Sequence, residues 1–327
     1  MDEQKNYFYF KNKCKYLFKL KTIITKYFMN PQIILTPQRR QAVAFMAALA
    51  LGSAGHVLAQ PVPGAVPLGA VKSYGFSPVN QHSLELTANY WNPILGYVSE
   101  KSGVSLRLVV GRTSAETTAK VVAGEVDFAF TNHLFSPDRE KLGWTVFGRR
   151  EAPVVRGQII VLADSPITNL EGLAGKDVAF PGPEALVAYK STYAQLLSKK
   201  IPANPVFAGN LDGAFSQLLA GRVSAMGSNS LISEEFAARE RRAFRVLWSS
   251  AAFKDLALMA SPRAPKPDVQ AVAKAFLAMH QDPRGRKILE EAASAVKSKN
   301  PVLFVAASDN DYASYRDFYR SAPASLQ

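Results

Sequence analysis

The sequence VVAGEVDFAFTN at residues 121–132 and the sequence LLAGRVSAMGSN at residues 218–229 decide the fold. Aligned at a constant offset of 97, the two stretches share Ala, Gly, Val and Asn, and Thr131 corresponds to Ser228. Each reads as a helix end, a glycine that stops the helix, and a strand. Any helix that ends at a glycine before a strand gives a similar pattern, but the order of elements before each copy also agrees. The repeat therefore predicts two similar α/β lobes.

The chain before the first copy alternates strands and helices. Strands are predicted at residues 71–77, 104–110 and 126–130, and helices at residues 84–102 and 113–123. The first helix has apolar residues at steps of three and four, the helical period. We expect Ser83 to cap it and Gly103 to end it. We also expect a restart at Asn92 and Pro93, because a proline inside a helix costs about 3 kcal/mol.

The chain before the second copy repeats this order. Strands are predicted at residues 176–180, 206–208 and 223–227, and helices at residues 184–198 and from Asp212, as cap, to Ala220. Further strands are expected at residues 157–163, 244–248 and 256–260, and helices at residues 269–280 and 284–296. Tyr312, Tyr315, Phe318 and Tyr319 sit at helical spacing in a last helix, which favours a core role over a cofactor site.

These elements predict two lobes, with the chain passing from the first to the second and back again. Residues 60–155 form the first part of lobe one, residues 156–248 form lobe two, and residues 249–327 return to lobe one. The chain crosses between the lobes once in each direction, so we expect a two-strand hinge.

Composition and charge exclude several classes of protein. The 327 residues carry a net charge of +13, and the first 59 contribute nine basic and two acidic residues to it. The remainder is moderately basic and has no nucleic-acid-binding motif, so we expect no nucleic-acid partner. The single cysteine, Cys14, excludes an internal disulfide and a zinc site built on paired cysteines. The four histidines lack metal-ligand spacing, and we expect neither a metal nor a cofactor.

The first 59 residues read as segments outside the fold. Residues 1–28 differ in composition from the rest, and Met29 follows as the expected true start. Arg39 and Arg40 precede a short apolar run, and small residues lead to Ala59, as in a secretory signal peptide at residues 29–59. We expect cleavage after Ala59 and export to the periplasm, by either the general secretory route or the twin-arginine route. A membrane anchor or a basic amphipathic extension is the alternative.

Polar residues at strand ends are the candidate ligand site. Ligands of open α/β sheets lie beyond the carboxyl ends of the strands, so two facing lobes would share one cleft. Helices that start near Ser83 and Ala185 would direct free N–H groups into it and favour anions. As alternatives, the asparagines are turn residues, His133 is a surface group and Glu184 a first-turn acid. The candidate ligand-binding residues are Phe76, Ser77, Asn132, His133, Pro183, Glu184, Ala185, Tyr189, Asn210 and Asn229.

Four motifs in this order give the chain a family resemblance. They are YGFSP at residues 74–78, WNPILGY at residues 91–97, AGEVD at residues 123–127 and NLEGLAGK at residues 169–176. Together they resemble the phosphate/phosphite/phosphonate-type periplasmic substrate-binding proteins of ABC transporters, over about residues 70–300. The resemblance implies a type II periplasmic-binding-protein fold, a small-molecule ligand bound by hinge closure, and an inner-membrane permease as partner. We expect a monomer.

The chain departs from this family where the family holds its ligand. The Ser-x-Ser-Gly stretch that binds phosphonate oxygens in the family corresponds to residues 185–188, which have no hydroxyl. The family's Gly-Gly-His-Asp turn corresponds to residues 209–212, where Leu211 replaces the histidine, and Ser224 replaces an acidic residue. Each lost neutral hydrogen bond weakens binding by about 0.5–1.5 kcal/mol. We therefore expect a ligand other than a simple phosphonate. A monoanion, a neutral polar molecule and a cofactor precursor remain open.

Catalysis is not expected, because the chain has no Gly-x-Ser-x-Gly, His-Glu-x-x-His or Walker motif. His133 with Glu184 is the one acid–base pair that the cleft could offer. An enzyme on the same fold, or a ligand-sensing ectodomain that works with a membrane signalling protein, are the alternative functions.

Overall fold

The computed structural model describes residues 73–299 and 301–327, which form two β-sheets with helices on their faces. The strands are β1 (Ser73–Pro78), β2 (Ser105–Leu108), β3 (Phe128–Thr131), β4 (Thr145–Arg150), β5 (Val155–Leu162), β6 (Asp177–Phe180), β7 (Asn204–Phe207), β8 (Ala225–Asn229), β9 (Phe244–Phe253), β10 (Ala257–Ala260) and β11 (Phe304–Val305). The helices are α1 (Leu84–Ser102), α2 (Ser114–Val122), α3 (Pro137–Glu140), α4 (Ser191–Ser198), α5 (Leu211–Leu219), α6 (Ser230–Glu240), α7 (Lys266–Ala278), α8 (Pro283–Val296) and α9 (Ala313–Ser321). A π-helical turn, Leu186–Lys190, leads directly into α4.

The two sheets share one strand order. The first runs β11-β4-β10-β3-β1-β2 and the second runs β7-β6-β8-β5-β9. In each, the first strand of a parallel trio lies between the other two, as β2-β1-β3 and as β7-β6-β8. An antiparallel strand, β10 or β5, then pairs with the third member of the trio and with a fourth strand. This order confirms the prediction of two similar α/β lobes.

The chain passes between the two sheets at two places. Residues 151–154 lead from β4 to β5, and residues 254–256 lead from β9 to β10. The Arg150 guanidinium donates to the Asp255 carboxylate at 2.7 Å, and both side chains are buried, so an ion pair ties the two connections together. Strand β9 continues to Phe253, five residues beyond its predicted end. The lobe boundaries themselves stay a prediction.

Aromatic side chains fill the core of the first lobe. Trp91 on α1 packs against Phe76 and Phe130 from the sheet, and Phe276 on α7 packs against Phe76 and Phe304. These rings are buried, and aromatic pairs at such distances contribute about 0.5–1.5 kcal/mol beyond the area they bury.

The aromatic residues at the C-terminal end are also core residues, as the helical spacing predicted. Tyr312, Tyr315 and Tyr319 are buried, and Tyr312 stacks on Phe135 with ring centroids 4.6 Å apart. The Tyr312 hydroxyl donates to the Asp255 carbonyl oxygen at 3.0 Å, and the Tyr315 hydroxyl donates to the Lys254 carbonyl oxygen at 2.6 Å. Helix α9 and the turn before it therefore fix the second connection between the sheets.

Helix α1 differs from the expectation in one respect. It continues through Pro93 instead of restarting there, although Ser83 caps it and Gly103 ends it as predicted. The carbonyl that Pro93 deprives of a partner belongs to Asn89, four residues earlier. Because Asn89 is exposed, water can bind this carbonyl, while buried residues on both sides of Pro93 keep the helix in place.

Across the described ranges, we find no helix with the length and apolar character needed to cross a membrane.

Candidate functional site

The strand ends of the two sheets meet at a small cavity of about 40 Å³. The first lobe lines it with residues that follow β1 and β3, with the start of α2 and with the residue before β10. The second lobe lines it with residues that follow β6, with the π-helical turn, the start of α5 and the end of β8. The lining residues are Val79, Asn80, Gln81, Ser114, Asn132, His133, Leu256, Pro181, Ala185, Leu186, Val187, Ala188, Leu211 and Asn229. The parallel strands thus bring their carboxyl ends to one place, as α/β sheets do.

Four of the residues chosen from the sequence line this cavity. Asn132 and His133 follow β3, Ala185 precedes the π-helical turn, and Asn229 ends β8. Asn132 hydrogen-bonds the Tyr315 hydroxyl, which connects the cavity wall to α9. A ligand-binding role for these residues stays a prediction.

Three other candidates belong to the packing of the lobes. Phe76 lies fully buried in the core of the first lobe, because alternation along β1 directs it toward α1 and α7. Ser77, the next residue, is buried on the opposite face, and its hydroxyl has no hydrogen-bond partner. Tyr189 packs against Phe180 and Phe207 of the second sheet. None of these three lines the cavity.

Pro183 and Asn210 also lie elsewhere. Pro183 is exposed, and Pro181 lines the cavity in its place. Asn210 caps helix α5, since its Oδ1 accepts from the Gly213 N–H at 2.7 Å. The predicted cap, Asp212, is wrong, because the helix begins two residues earlier than the sequence suggested. Asn229 is a cap as well, with its Oδ1 accepting from the Leu231 N–H at 2.9 Å, although it also reaches the cavity.

Glu184 forms an ion pair across the two lobes. Its carboxylate accepts from the Arg139 guanidinium of α3 at 2.6 Å, and Arg139 also donates to the His133 carbonyl oxygen at 3.0 Å. Burial alone would raise the pKa of Glu184, but the hydrogen bond and the charge of Arg139 outweigh burial and lower it. Glu184 is therefore ionised and paired, and it does not face the cavity as an acid or base.

His133 is a neutral residue in the cavity wall. Its Nδ1 lies 2.7 Å from the Thr118 hydroxyl, and its backbone N–H donates to the Thr131 hydroxyl at 3.0 Å. Burial lowers the pKa of His133 to about 3, and the nearby Arg139 and Lys190 act in the same direction. Of the predicted acid–base pair, His133 is thus a neutral imidazole, and Glu184 is a carboxylate that is ion-paired with Arg139.

The cavity wall has no charged side chain. Its polar groups are the amides of Asn80, Gln81, Asn132 and Asn229, the Ser114 side chain and the neutral His133. The π-helical turn adds backbone N–H groups: its first hydrogen bond joins the Tyr189 N–H to the Ala185 carbonyl oxygen at 2.8 Å, so the N–H groups of residues 186–188 have no partner within the turn. An uncharged wall of donors and acceptors suits a polar ligand of low charge.

Glycines permit the π-helical turn to lie on the second sheet. A Cβ at Gly227 would come within 2.2 Å of the Ala188 carbonyl oxygen, and a Cβ at Gly157 within 2.4 Å of the Val187 carbonyl oxygen. In place of the predicted α-helix over residues 184–198, the structure has this π-helical turn followed by α4.

The lobes also touch beside the cavity. The Ser114 N–H, at the start of α2, donates to the Gly209 carbonyl oxygen of the second lobe at 2.7 Å. The Ser83 N–H, at the start of α1, donates to the Asp212 carboxylate at 3.0 Å. Burial alone would raise the pKa of Asp212, but His82, Ser83 and Arg239 together lower it. A carboxylate of the second lobe thus occupies the end of α1 where the sequence analysis expected an anionic ligand.

Glu235 of α6 is buried between the lobes. Its carboxylate lies 4.0 Å from His82 Nε2, and the Ser298 side chain forms a hydrogen bond with it. Burial raises the pKa of Glu235, although Arg150 and His82 oppose this. Contact between the lobes therefore makes the Glu235 carboxyl group harder to ionise.

Sequence reasoning missed most of the apolar lining and three polar residues, Asn80, Gln81 and Ser114. Asn80 follows β1 by two residues, at the strand end where ligands were expected, but the candidates stopped at Ser77. In the part of the chain that the structure describes, no three His, Cys, Asp or Glu side chains come together as a metal site would require.

The comparison with protein families gives one match over most of the chain. Residues 29–312 match the family of phosphonate ABC transporter periplasmic substrate-binding proteins. No curated protein sequence matches the chain significantly.

Solved structures of binding proteins share the fold. A binding-protein component of an ABC phosphonate transporter from Pseudomonas aeruginosa aligns with a TM-score of 0.62 and 15% identity, covering 73% of this chain and 82% of its own. PhnD1 from Prochlorococcus marinus, in complex with methylphosphonate, aligns with a TM-score of 0.63 and 14% identity over 76% of this chain and 97% of its own. A Xanthomonas citri protein bound to ATP aligns with a TM-score of 0.58 and 14% identity over 78% and 97%. At such identities the likeness shows the fold alone, and it confirms the predicted fold class.

Proposed function

Since the chain belongs to the family of phosphonate ABC transporter periplasmic substrate-binding proteins, we propose that the cavity between its two lobes is the ligand site of the transporter. The protein is the periplasmic substrate-binding component of an ABC transporter, and it works with a membrane permease. The proposal concerns which residues hold the ligand, how the lobes hold it, and what the ligand is.

We propose that the lobes close on the ligand by bending at the two connections near Arg150 and Asp255. The observation that carries this proposal is the set of contacts across the cavity. The Arg139–Glu184 ion pair at 2.6 Å and the hydrogen bond from the Ser114 N–H to the Gly209 carbonyl oxygen at 2.7 Å each join one lobe to the other. Two lobes that shut around a ligand would bury it from both sides, as in hinge closure.

The ligand in this proposal is a small polar molecule other than a simple phosphonate. The cavity wall has no lysine or arginine, and residues 185–188 supply no hydroxyl. Arg139, which is nearby, is already paired with Glu184. A phosphonate dianion would therefore meet only neutral donors, and it would leave water without the charge compensation that burial requires.

Native mass spectrometry of the purified protein tests the ligand site. We expect one small molecule to be retained per chain and to be released on unfolding. After its removal, readdition should reduce the radius of gyration measured by small-angle X-ray scattering. Replacing Asn132 and Asn229 by alanine should weaken retention, whereas alanine at the exposed Asn204 is the matched control. Unchanged affinity in the double variant would contradict the assigned site, and product turnover would contradict a binding role without catalysis.

A titration with phosphonates tests the ligand class separately. We expect 2-aminoethylphosphonate and methylphosphonate to bind weakly or not at all in isothermal titration calorimetry. Micromolar affinity for either compound would overturn this part of the proposal and leave the transport role in place.

Export and assembly complete the proposal. We propose that residues 29–59 are a signal peptide cleaved after Ala59, and that the mature protein is a monomer. Residues 1–59 lie outside the described part of the chain, so the support is the sequence pattern alone. The intact mass of the exported protein tests the cleavage site, and a mass that retains residues 29–59 would contradict it.

A further inference from the structure

Asn80 offers a buried acceptor at the cavity that no group in the described part of the chain uses. Asn80 lines the cavity and is 4% exposed. Its Nδ2 donates to the Gly111 carbonyl oxygen at 3.0 Å, whereas its Oδ1 is buried without a hydrogen-bond partner. Leaving a buried acceptor unpaired costs about 1–3 kcal/mol. A ligand that brings an N–H or O–H group to this oxygen would remove that cost.

The orientation of the Asn80 amide is fixed by Gly111. The Gly111 N–H donates to the Thr117 hydroxyl at 2.8 Å, and a Cβ at Gly111 would lie 2.5 Å from the Glu116 Cβ and 2.7 Å from the Thr117 nitrogen. The Gly111 carbonyl is therefore held firmly against the start of α2. Rotating the Asn80 amide by half a turn would place Oδ1 against this carbonyl oxygen, so the amide keeps its nitrogen on Gly111 and its oxygen free.

The second lobe offers the opposite kind of group. The N–H groups of residues 186–188 begin a continuous helical segment that ends with α4, and all three residues line the cavity. They are donors without partners inside the turn, and the helix dipole favours an oxygen acceptor in front of them. The cavity therefore presents a free acceptor on one lobe and free donors on the other.

We propose that the ligand is a small uncharged molecule that donates an N–H or O–H group to Asn80 Oδ1 and accepts from the N–H groups of residues 186–188. This inference rests on the proposed function, because it takes the cavity as the ligand site. The volume of about 40 Å³ has room for about three water molecules, so the part of the ligand enclosed here has only a few non-hydrogen atoms. A primary amide group has the required donor and acceptor on adjacent atoms.

Asn80 would then be the residue that makes the site discriminate between this ligand and carboxylates or phosphonates of similar shape. A carboxylate, or a phosphonate that has lost both protons, has no hydrogen to give, so it leaves Oδ1 unpaired, and any anion faces the partial negative charge of this oxygen. Sites that are built to bond a donor reject an analogue that lacks it strongly, because the buried polar group of the site then loses its partner.

Acetamide and acetate form a matched pair of probes, since they share a shape and differ in the N–H donor and the charge. Binding to the ligand-free protein can be followed by ligand-observed NMR, with methylphosphonate as a third probe. Fragments of this size reach at most about −1.5 kcal/mol per non-hydrogen atom, so affinities are measured in the micromolar to millimolar range. We expect acetamide to bind at least about tenfold more tightly than acetate or methylphosphonate.

Asn80→Leu should lower the affinity for acetamide by about three- to tenfold, while Asn204→Leu, at the far end of β7, should leave it unchanged. Acetate or methylphosphonate binding as tightly as acetamide, or acetamide failing to saturate the protein, overturns the inference. If the Asn80 variant does not fold, the comparison of acetamide with acetate and methylphosphonate on the unmodified protein still tests the inference. An oxyanion found in the cavity by native mass spectrometry overturns this inference and leaves the proposed function intact, whereas a protein that retains no small molecule contradicts the proposed function itself.

Discussion

Replacing Gly182 by alanine should hold the two lobes apart. Gly182 lies between β6 and the π-helical turn of the second lobe, and a Cβ there would be 3.0 Å from the Ser114 Cβ and 3.3 Å from the Ser114 hydroxyl oxygen of the first lobe. Its backbone has no positive φ, so alanine does not strain the loop. The substitution therefore acts on the contact between lobes and leaves each lobe as it is.

The free-energy cost of the substitution follows from how little the contact between residue 182 and Ser114 can relax. An ordinary contact of a Cβ lies at 3.4–4 Å, so the new methyl group is several tenths of an ångström too close. Ser114 cannot move back freely, because its N–H is bonded to the Gly209 carbonyl oxygen at 2.7 Å. Overpacking of this kind costs about 1–3 kcal/mol. If the whole cost falls on the closed arrangement, the ratio of closed to open protein falls by about 5- to 150-fold.

Small-angle X-ray scattering and ligand retention measure this shift. We expect Gly182→Ala to increase the radius of gyration and to lower the fraction of protein that retains its small molecule, with the thermal stability of each lobe little changed. Combining it with Ser114→Gly, which removes the opposing Cβ, should restore both. A Gly182→Ala protein that scatters and retains ligand like the unmodified chain would refute the reasoning. A double variant that is not rescued would show that the loop itself was damaged.

Three further predictions concern charges and caps. Glu184→Gln removes the ion pair with Arg139, which is partly exposed and screened, so closure should weaken by about two- to fivefold in ligand titrations and the effect should shrink with added salt. Asn210→Ala removes the cap of α5 and should lower the free energy of unfolding by about 1 kcal/mol in denaturant melts, with ligand affinity unchanged. Burial raises the pKa of Glu235 in the folded protein. As the pH rises above the ordinary glutamate range, the unfolded chain therefore releases this proton before the folded protein does. The free energy of unfolding then falls as the pH approaches neutrality. Glu235→Gln should therefore raise the melting temperature near neutral pH and have little effect in acid, and a lower melting temperature at neutral pH would contradict the assignment.

The division into two lobes could be predicted from the sequence because it depends on local signals. Gly124 and Gly221 both have positive φ, 74° and 65°, at corresponding points of the two copies. Glycine adopts this conformation at no steric cost, whereas residues with a Cβ adopt it less readily, so a glycine where each helix ends before a strand is a strong local signal. The burial of Phe76 could also have been predicted, because Tyr74 and Phe76 alternate with smaller residues along β1.

The site could be predicted only in part, because its contacts join residues that are far apart in sequence. Nothing near Glu184 indicates that Arg139, 45 residues earlier, holds its carboxylate. An asparagine after a strand can cap the next helix, as Asn210 does, or line the cavity, as Asn132 does, and the two cases have the same local sequence pattern. The close approach of the π-helical turn to the sheet depends on glycines on two other strands, and the helical spacing of residues 184–198 does not indicate this approach.

The pairing of charges between the lobes explains how an uncharged ligand could drive closure. At the start of α1, the Ser83 N–H binds the Asp212 carboxylate, and at the start of the π-helical turn Glu184 binds Arg139. Each of these bonds joins a group of one lobe to a group of the other, so each is lost when the lobes separate. At the start of α1 the protein itself thus supplies the anion that compensates the helix dipole, while beside the π-helical turn Glu184 and Arg139 neutralise each other. The ligand then has to satisfy only the neutral donors and acceptors that remain. Among the cavity-lining side chains of the described chain, Asn80 Oδ1 is the fully buried atom without a hydrogen-bond partner.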